Sequence, residues 1–157
     1  PIVENFDNTL IISPPYLGKT TILREMTRRL SNKGNDILVI DERNELSATT
    51  DGVQNLDMGV NTDIMVGVPK LNCYEGAVRT MSPDIIVTDE IFGGAEVSCL
   101  LDTARCGVKF MATAHGKNID KFLQNECYSP LKSVVANYLL LGDSVGCVKE
   151  VRCNCLN

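Results

Sequence analysis

TLIISPPYLGKTT, residues 9–21, joins an apolar run to the start of a helical pattern. TLIIS (9–13) is short, β-branched and bounded by Pro14-Pro15, which reads as a buried strand. Ile22, Leu23, Met26 and Leu30 then recur at helical spacing, with Arg24, Arg28 and Arg29 off that face. Strand, loop and helix in that order are the context in which G-x-x-x-x-G-K-[ST] cradles phosphate, because loop N–H groups turn inward and a helix N-terminus lies behind them. Here Ser13 stands in the first glycine position, while Gly18, Lys19 and Thr20 fit in spacing. Ser13, Pro14, Pro15, Tyr16, Leu17 and Gly18 would form the loop, and Lys19 would reach the outer phosphates. Thr20 would ligate magnesium and Thr21 would donate to an inner phosphate. Tyr16 costs roughly 1 kcal/mol or more if the loop needs a left-handed residue there. The alternative is that its ring points outward and covers the ligand. A helix that merely starts at GKTT is the competing reading of the motif.

The rest of the chain repeats the alternation. DILVIDE (36–42), DIIVTDE (84–90) and VKFMATAH (108–115) read as further strands, and DIMVGV (63–68) as a short extra one. Helices are expected around 73–81 and 95–106, with Gly34 ending the first helix. Residues 118–136 read as helical in two pieces broken at Pro130. Residues 137–152 read as a terminal antiparallel strand pair joined by a tight Gly-Asp-Ser turn. The fold class is therefore α/β: a mostly parallel central sheet with helices on both faces and a C-terminal antiparallel pair.

Ligands of such sheets bind beyond the carboxyl ends of the strands. Asp89 and Glu90 fall there; Asp89 would join the magnesium shell, and Glu90 would orient and deprotonate an attacking water. An Asp-Glu pair after a strand is also an ordinary helix entry. DERNE (41–45) follows the second strand, so Glu42 or Glu45 could position water or the metal shell, and Arg43 could touch phosphate or a neighbour. Solvated charge at a strand exit is the plainer alternative. His115, the only histidine, ends the strand expected beside the loop strand and suits a γ-phosphate sensor, with a structural hydrogen-bonding histidine as the plainer alternative. Arg79 reads equally as a surface arginine or as a charge supplied across a subunit boundary.

Bulk properties narrow the classes. The 157 residues suit one domain, with 44% hydrophobic and 22% charged content. No apolar run approaches about 18 residues, so no transmembrane helix is expected. No secretory leader is read either, since Glu4 and Asp7 stand where a basic region belongs. A net charge of -5 argues against nonspecific nucleic-acid binding. Seven scattered cysteines suit buried thiols in a reducing compartment. Cys153 and Cys155 form a C-x-C without a second pair, a weak metal signal.

Taken together, SPPYLGKTT, DERNE, VRTMSPDIIVTDEI and FMATAHG resemble the ATPase domain of the stage III sporulation protein AA family, itself similar to secretion and pilus-motor ATPases. The resemblance runs from about Thr9 to Gly116. It implies a RecA-like P-loop NTPase fold that uses ATP and Mg2+ in a homo-oligomeric, hexameric ring. It also implies a cytoplasmic location, peripheral at the mother-cell face of the forespore membrane, with channel proteins of the sporulation apparatus as partners and no direct membrane insertion. By the same resemblance Lys19 and Thr20 become phosphate and magnesium ligands, and Asp89 with Glu90 the hydrolytic acids. Glu42 and Glu45 fall on an acidic box, His115 on a histidine box, and Arg79 on an arginine before the third main strand. The family usually has glycine where Ser13 and Tyr16 stand, and glycine, arginine and acidic residues after Glu90 where this chain has Phe92-Gly93-Gly94. Starting at Pro1, the chain reads as a fragment, residues 1–157 forming one P-loop domain without the family's N-terminal domain. These departures keep open a nucleotide-binding assembly module with little turnover, and the RecA-like resemblance keeps open a single-stranded nucleic-acid-dependent ATPase, against which the acidic balance speaks.

Overall fold

The computed structural model describes residues 2–154. Seven strands, β1 (Thr9–Ser13), β2 (Ile37–Asp41), β3 (Thr62–Val66), β4 (Ile85–Thr88), β5 (Lys109–His115), β6 (Asn137–Leu141) and β7 (Val148–Cys153), form one sheet in the order β3-β2-β4-β5-β1-β6-β7. Every neighbouring pair is parallel except β6–β7. The helices are α1 (Lys19–Ser31), α2 (Lys70–Met81), α3 (Gly93–Arg105) and α4 (Ile119–Gln124).

Every residue of β1, β2, β4 and β6 is buried, which explains why these strands read as continuous apolar runs. Successive side chains alternate between the two faces. Leu10, Ile12, Leu38, Ile40, Ile86, Phe110 and Tyr138 pack with Cys73, Tyr74 and Ala77 of α2, Val97 and Leu100 of α3 and Phe122 of α4. Ile11, Ile37, Val39, Ile85, Val87 and Met111 pack on the other face with Leu23 and Leu30 of α1, helped by Phe6, Leu46 and Met58. One helix covers that second face. Leu46 and Met58, from the long segment between β2 and β3, complete its cover.

Two local expectations change. The break in 118–136 falls at Asn125–Tyr128 and not at Pro130. The Asn125 carbonyl accepts from the Tyr128 and Ser129 N–H groups, and its side chain accepts from Cys127 N–H. Pro130 instead sits near the start of a 3-10 turn, Ser129–Ser133, where a missing N–H costs little. The β6–β7 connection is also longer than a tight Gly-Asp-Ser turn, because it reaches over to the loop after β1. Gly146 N–H donates to Leu17 O at 2.9 Å. Of the C-x-C cysteines, Cys153 is exposed and Cys155 lies outside the described residues.

Candidate functional site

β1 is the pivot of the site. It lies between β5 and β6, and its last residue, Ser13, is in register with His115. The chain then leaves the sheet edge as the 14–18 loop and enters α1 at Lys19. Ser13 is fully buried and donates from Oγ to Pro14 O at 2.6 Å, so a serine closes the first bend that glycine usually makes. Tyr16 adopts φ 62 and is 95% exposed. Both features considered for Tyr16 therefore occur together: a left-handed backbone and an outward ring. Gly18 has φ 86, and a Cβ there would sit 3.2 Å from the Gly146 nitrogen. Only glycine satisfies that conformation and that approach at once.

A cavity of about 390 Å³ opens against this loop, lined by Tyr16, Gly18, Lys19, Thr20, Thr21, Arg43, Glu45, Asp89, Glu90, Thr113 and Val145. The two groups that sequence reasoning paired from distant positions therefore share one chamber. Pro14, Pro15 and Leu17 shape the loop without lining the cavity, and Glu42 is exposed outside it, where its charge acts on Cys73 and Glu96. His115 is exposed and opens on a separate concavity with Lys117, Lys121 and Phe122. Arg79 lines a groove between α2 and α3, away from the chamber beside the loop.

β4 stops at Thr88, so Asp89 and Glu90 lie in the turn beyond it. Asp89 is buried, and burial pushes its carboxyl above the ordinary range while Lys70 opposes the rise. The Lys70 ammonium lies 2.5 Å from Asp89 Oδ1 and donates to Glu90 O at 2.8 Å. The Lys70 ammonium is therefore the partner of Asp89 Oδ1 in an otherwise buried setting. Arg43 faces Glu90 across the cavity at 3.8 Å, a half-solvated pair of little energetic weight. Helix-start N–H groups, a lysine, a threonine hydroxyl and a buried carboxylate suit a phosphate chain with a divalent cation: Lys19 for phosphate, Thr20 and Asp89 for the metal shell.

Sequence reasoning missed five contributors: Asp41, Arg24, Lys70, Thr113 and Val145. Asp41 is fully buried and organises the DERNE segment: its carboxylate accepts from the N–H groups of Glu45 at 2.9 Å, Leu46 at 3.1 Å and Ser47 at 2.9 Å, and from Ser47 Oγ at 2.9 Å. Arg24 of α1 donates to Leu46 O at 2.7 Å and fastens the same segment. Lys70 holds Asp89 from outside the chamber, and Thr113 and Val145 complete the chamber lining. Lys70 had one legible signal: it opens a helix, where the dipole disfavours a cation.

The structure superposes on the VirB11 ATPase of the Brucella suis type IV secretion system, solved with sulphate, with TM-score 0.71 and 15% identity over 97% of this chain and 49% of that one. It superposes on the pilus retraction motor PilT with bound ADP with TM-score 0.67 and 16% identity, over 96% of this chain and 47% of that one. At such identities the likeness establishes the fold, which is that of the RecA-like P-loop ATPases. In sequence, the chain is 33% identical over 122 residues to stage III sporulation protein AA of Bacillus subtilis, spanning 74% of this chain and 40% of that protein. The model of the family described as "Sporulation stage III, protein AA" matches residues 2–151, and the chain belongs to that family.

Proposed function

We propose that the chain is a magnesium-dependent ATP hydrolase domain, working in a ring of copies within a sporulation-associated secretion or channel apparatus. One observation carries the reading: Lys19, Thr20, Asp89 and Glu90, brought from opposite parts of the chain, line the same chamber. Lys19 and the N–H groups at the start of α1 would hold the phosphates. Thr20 and Asp89 would hold Mg2+, which when bound supplies charge neutralisation between the outer phosphates. Glu90, exposed enough to meet solvent and facing the chamber, would orient the attacking water and take its proton. Catalysis of this kind is positioning and electrostatics, with little covalent work for the protein. Among the described residues no helix is long and apolar enough to cross a membrane, which suits a peripheral role beside membrane channel proteins.

The test is phosphate release with Lys19→Ala and Glu90→Gln. Lys19→Ala is expected to lose nucleotide binding, while Glu90→Gln keeps binding and loses turnover by about 100-fold or more. Full turnover by Glu90→Gln would move the base to Glu45, the remaining carboxylate outside the metal shell that lines the chamber. A second reading, a nucleotide-binding assembly module with little turnover, is favoured by Tyr16 in a left-handed loop position and by Phe92-Gly93-Gly94 in place of an arginine-bearing segment. Magnesium-dependent ATP binding without phosphate release at any protein concentration selects it. A rate per subunit that rises with concentration selects the ring hydrolase.

A further inference from the structure

We propose that Lys70 is a positioning residue of this site, holding Asp89 and the Glu90 backbone from outside the chamber so that Asp89 faces a metal-bound nucleotide. The inference rests on the phosphate-site reading above. Lys70 is 6% exposed, as deeply buried as Asp89, and the two form a close ion pair. Its ammonium also donates to the Glu90 carbonyl and lies 3.9 Å from Glu96 Oε2 of α3. One cation thus links α2, the turn after β4 and α3. Lys70 does not line the chamber, whereas both residues it grips do.

The placement is costly unless it has a purpose. Burying an ammonium costs several kcal/mol, and at the first position of α2 the helix dipole adds to that cost. The first turn of α2 carries no acid that would offset it, and among the described residues the compensation comes from across the fold, from Asp89 and Glu96. An apolar residue at position 70 would pack against this end of the sheet more cheaply, but it would leave Asp89 buried without a counter-charge. What Lys70 adds is a fixed direction: with Oδ1 engaged from behind, the carboxylate has one oxygen left to present forward, and Glu90 is held by its own backbone. Groups that orient metal-shell carboxylates in this way commonly change metal affinity 10- to 100-fold when removed.

The experiment titrates a fluorescent ATP analogue into the 157-residue chain in EDTA, then titrates Mg2+ into the complex, for wild type, Lys70→Met, Lys70→Gln, Lys19→Ala, Asp89→Asn and the Lys70→Met/Asp89→Asn double variant. Lys70→Met is expected to bind the metal-free analogue within about twofold of wild type, and to need about tenfold more Mg2+ for half-saturation. In the Asp89→Asn background the same substitution is expected to change the Mg2+ requirement by less than about twofold, because its effect passes through Asp89. Lys70→Gln removes the charge but keeps a donor, so it carries the comparison, with the same expected rise, if Lys70→Met does not fold. An unchanged Mg2+ requirement in a folded Lys70 variant overturns the proposal. So does equal weakening with and without metal, which marks a scaffold residue. Metal-free binding that is indifferent to Lys19→Ala overturns the phosphate-site reading itself, and the role of Lys70 with it.

Discussion

Removing the carboxylate of Asp41 tests whether the segment after β2 is a built part of the site. Asp41 is 0% exposed and accepts from three backbone N–H groups and one hydroxyl, all between 2.9 and 3.1 Å. A hydrogen bond to a charged group is worth about 1.5–3 kcal/mol, and a buried donor left unsatisfied costs about 1–3 kcal/mol. Four such donors do not add, because the segment can loosen and admit water, and the desolvation cost of the carboxylate disappears with it. We expect a loss of about 3–4 kcal/mol for Asp41→Ala. Asp41→Asn keeps one acceptor but turns an amide NH2 toward the donors, for a loss of about 2 kcal/mol. Either loss is a large fraction of a typical 5–15 kcal/mol. Urea unfolding followed by far-UV circular dichroism measures it. Limited proteolysis should show cleavage between residues 42 and 56 at denaturant concentrations where the sheet persists. Stabilities within about 0.5 kcal/mol of wild type for both variants would refute the reasoning, since surface substitutions alone stay within that range.

Tyr16→Gly should stabilise the fold by up to about 1 kcal/mol, relief of the left-handed backbone exceeding the entropy cost of glycine. A lowered unfolding midpoint would show that the exposed ring makes contacts that matter. Glu25 receives hydrogen bonds from Arg28 and Arg29, which hold its carboxyl down from 4.5 to about 2. Its contribution is therefore present above about pH 4.5 and lost as pH falls toward 2. Because the group is solvent-screened, Glu25→Gln should cost only a few tenths of a kcal/mol at pH 7 and nothing measurable near pH 2. Urea midpoints for both proteins across that range decide it, and a gap that widens on acidification contradicts the assignment.

What sequence alone determined here was what chain-local chemistry can carry. The apolar runs at β1, β2, β4 and β6 named the sheet because strands buried on both faces carry apolar side chains at successive positions, with polar residues only at their ends. The loop from Ser13 to Thr20 was legible because glycine, lysine and threonine at that spacing answer one geometric demand. Tertiary structure decided the rest. Asp41 and Glu42 are adjacent acids, yet one is an internal acceptor and the other faces solvent; strand pleat and the return of the following segment chose between them. Lys70 meets Asp89 across 19 positions, and Gly146 meets Leu17 between the loops that follow neighbouring strands β6 and β1, through contacts that leave no periodicity in the chain. A buried charge takes its meaning from its partner, and only the fold brings the partner there.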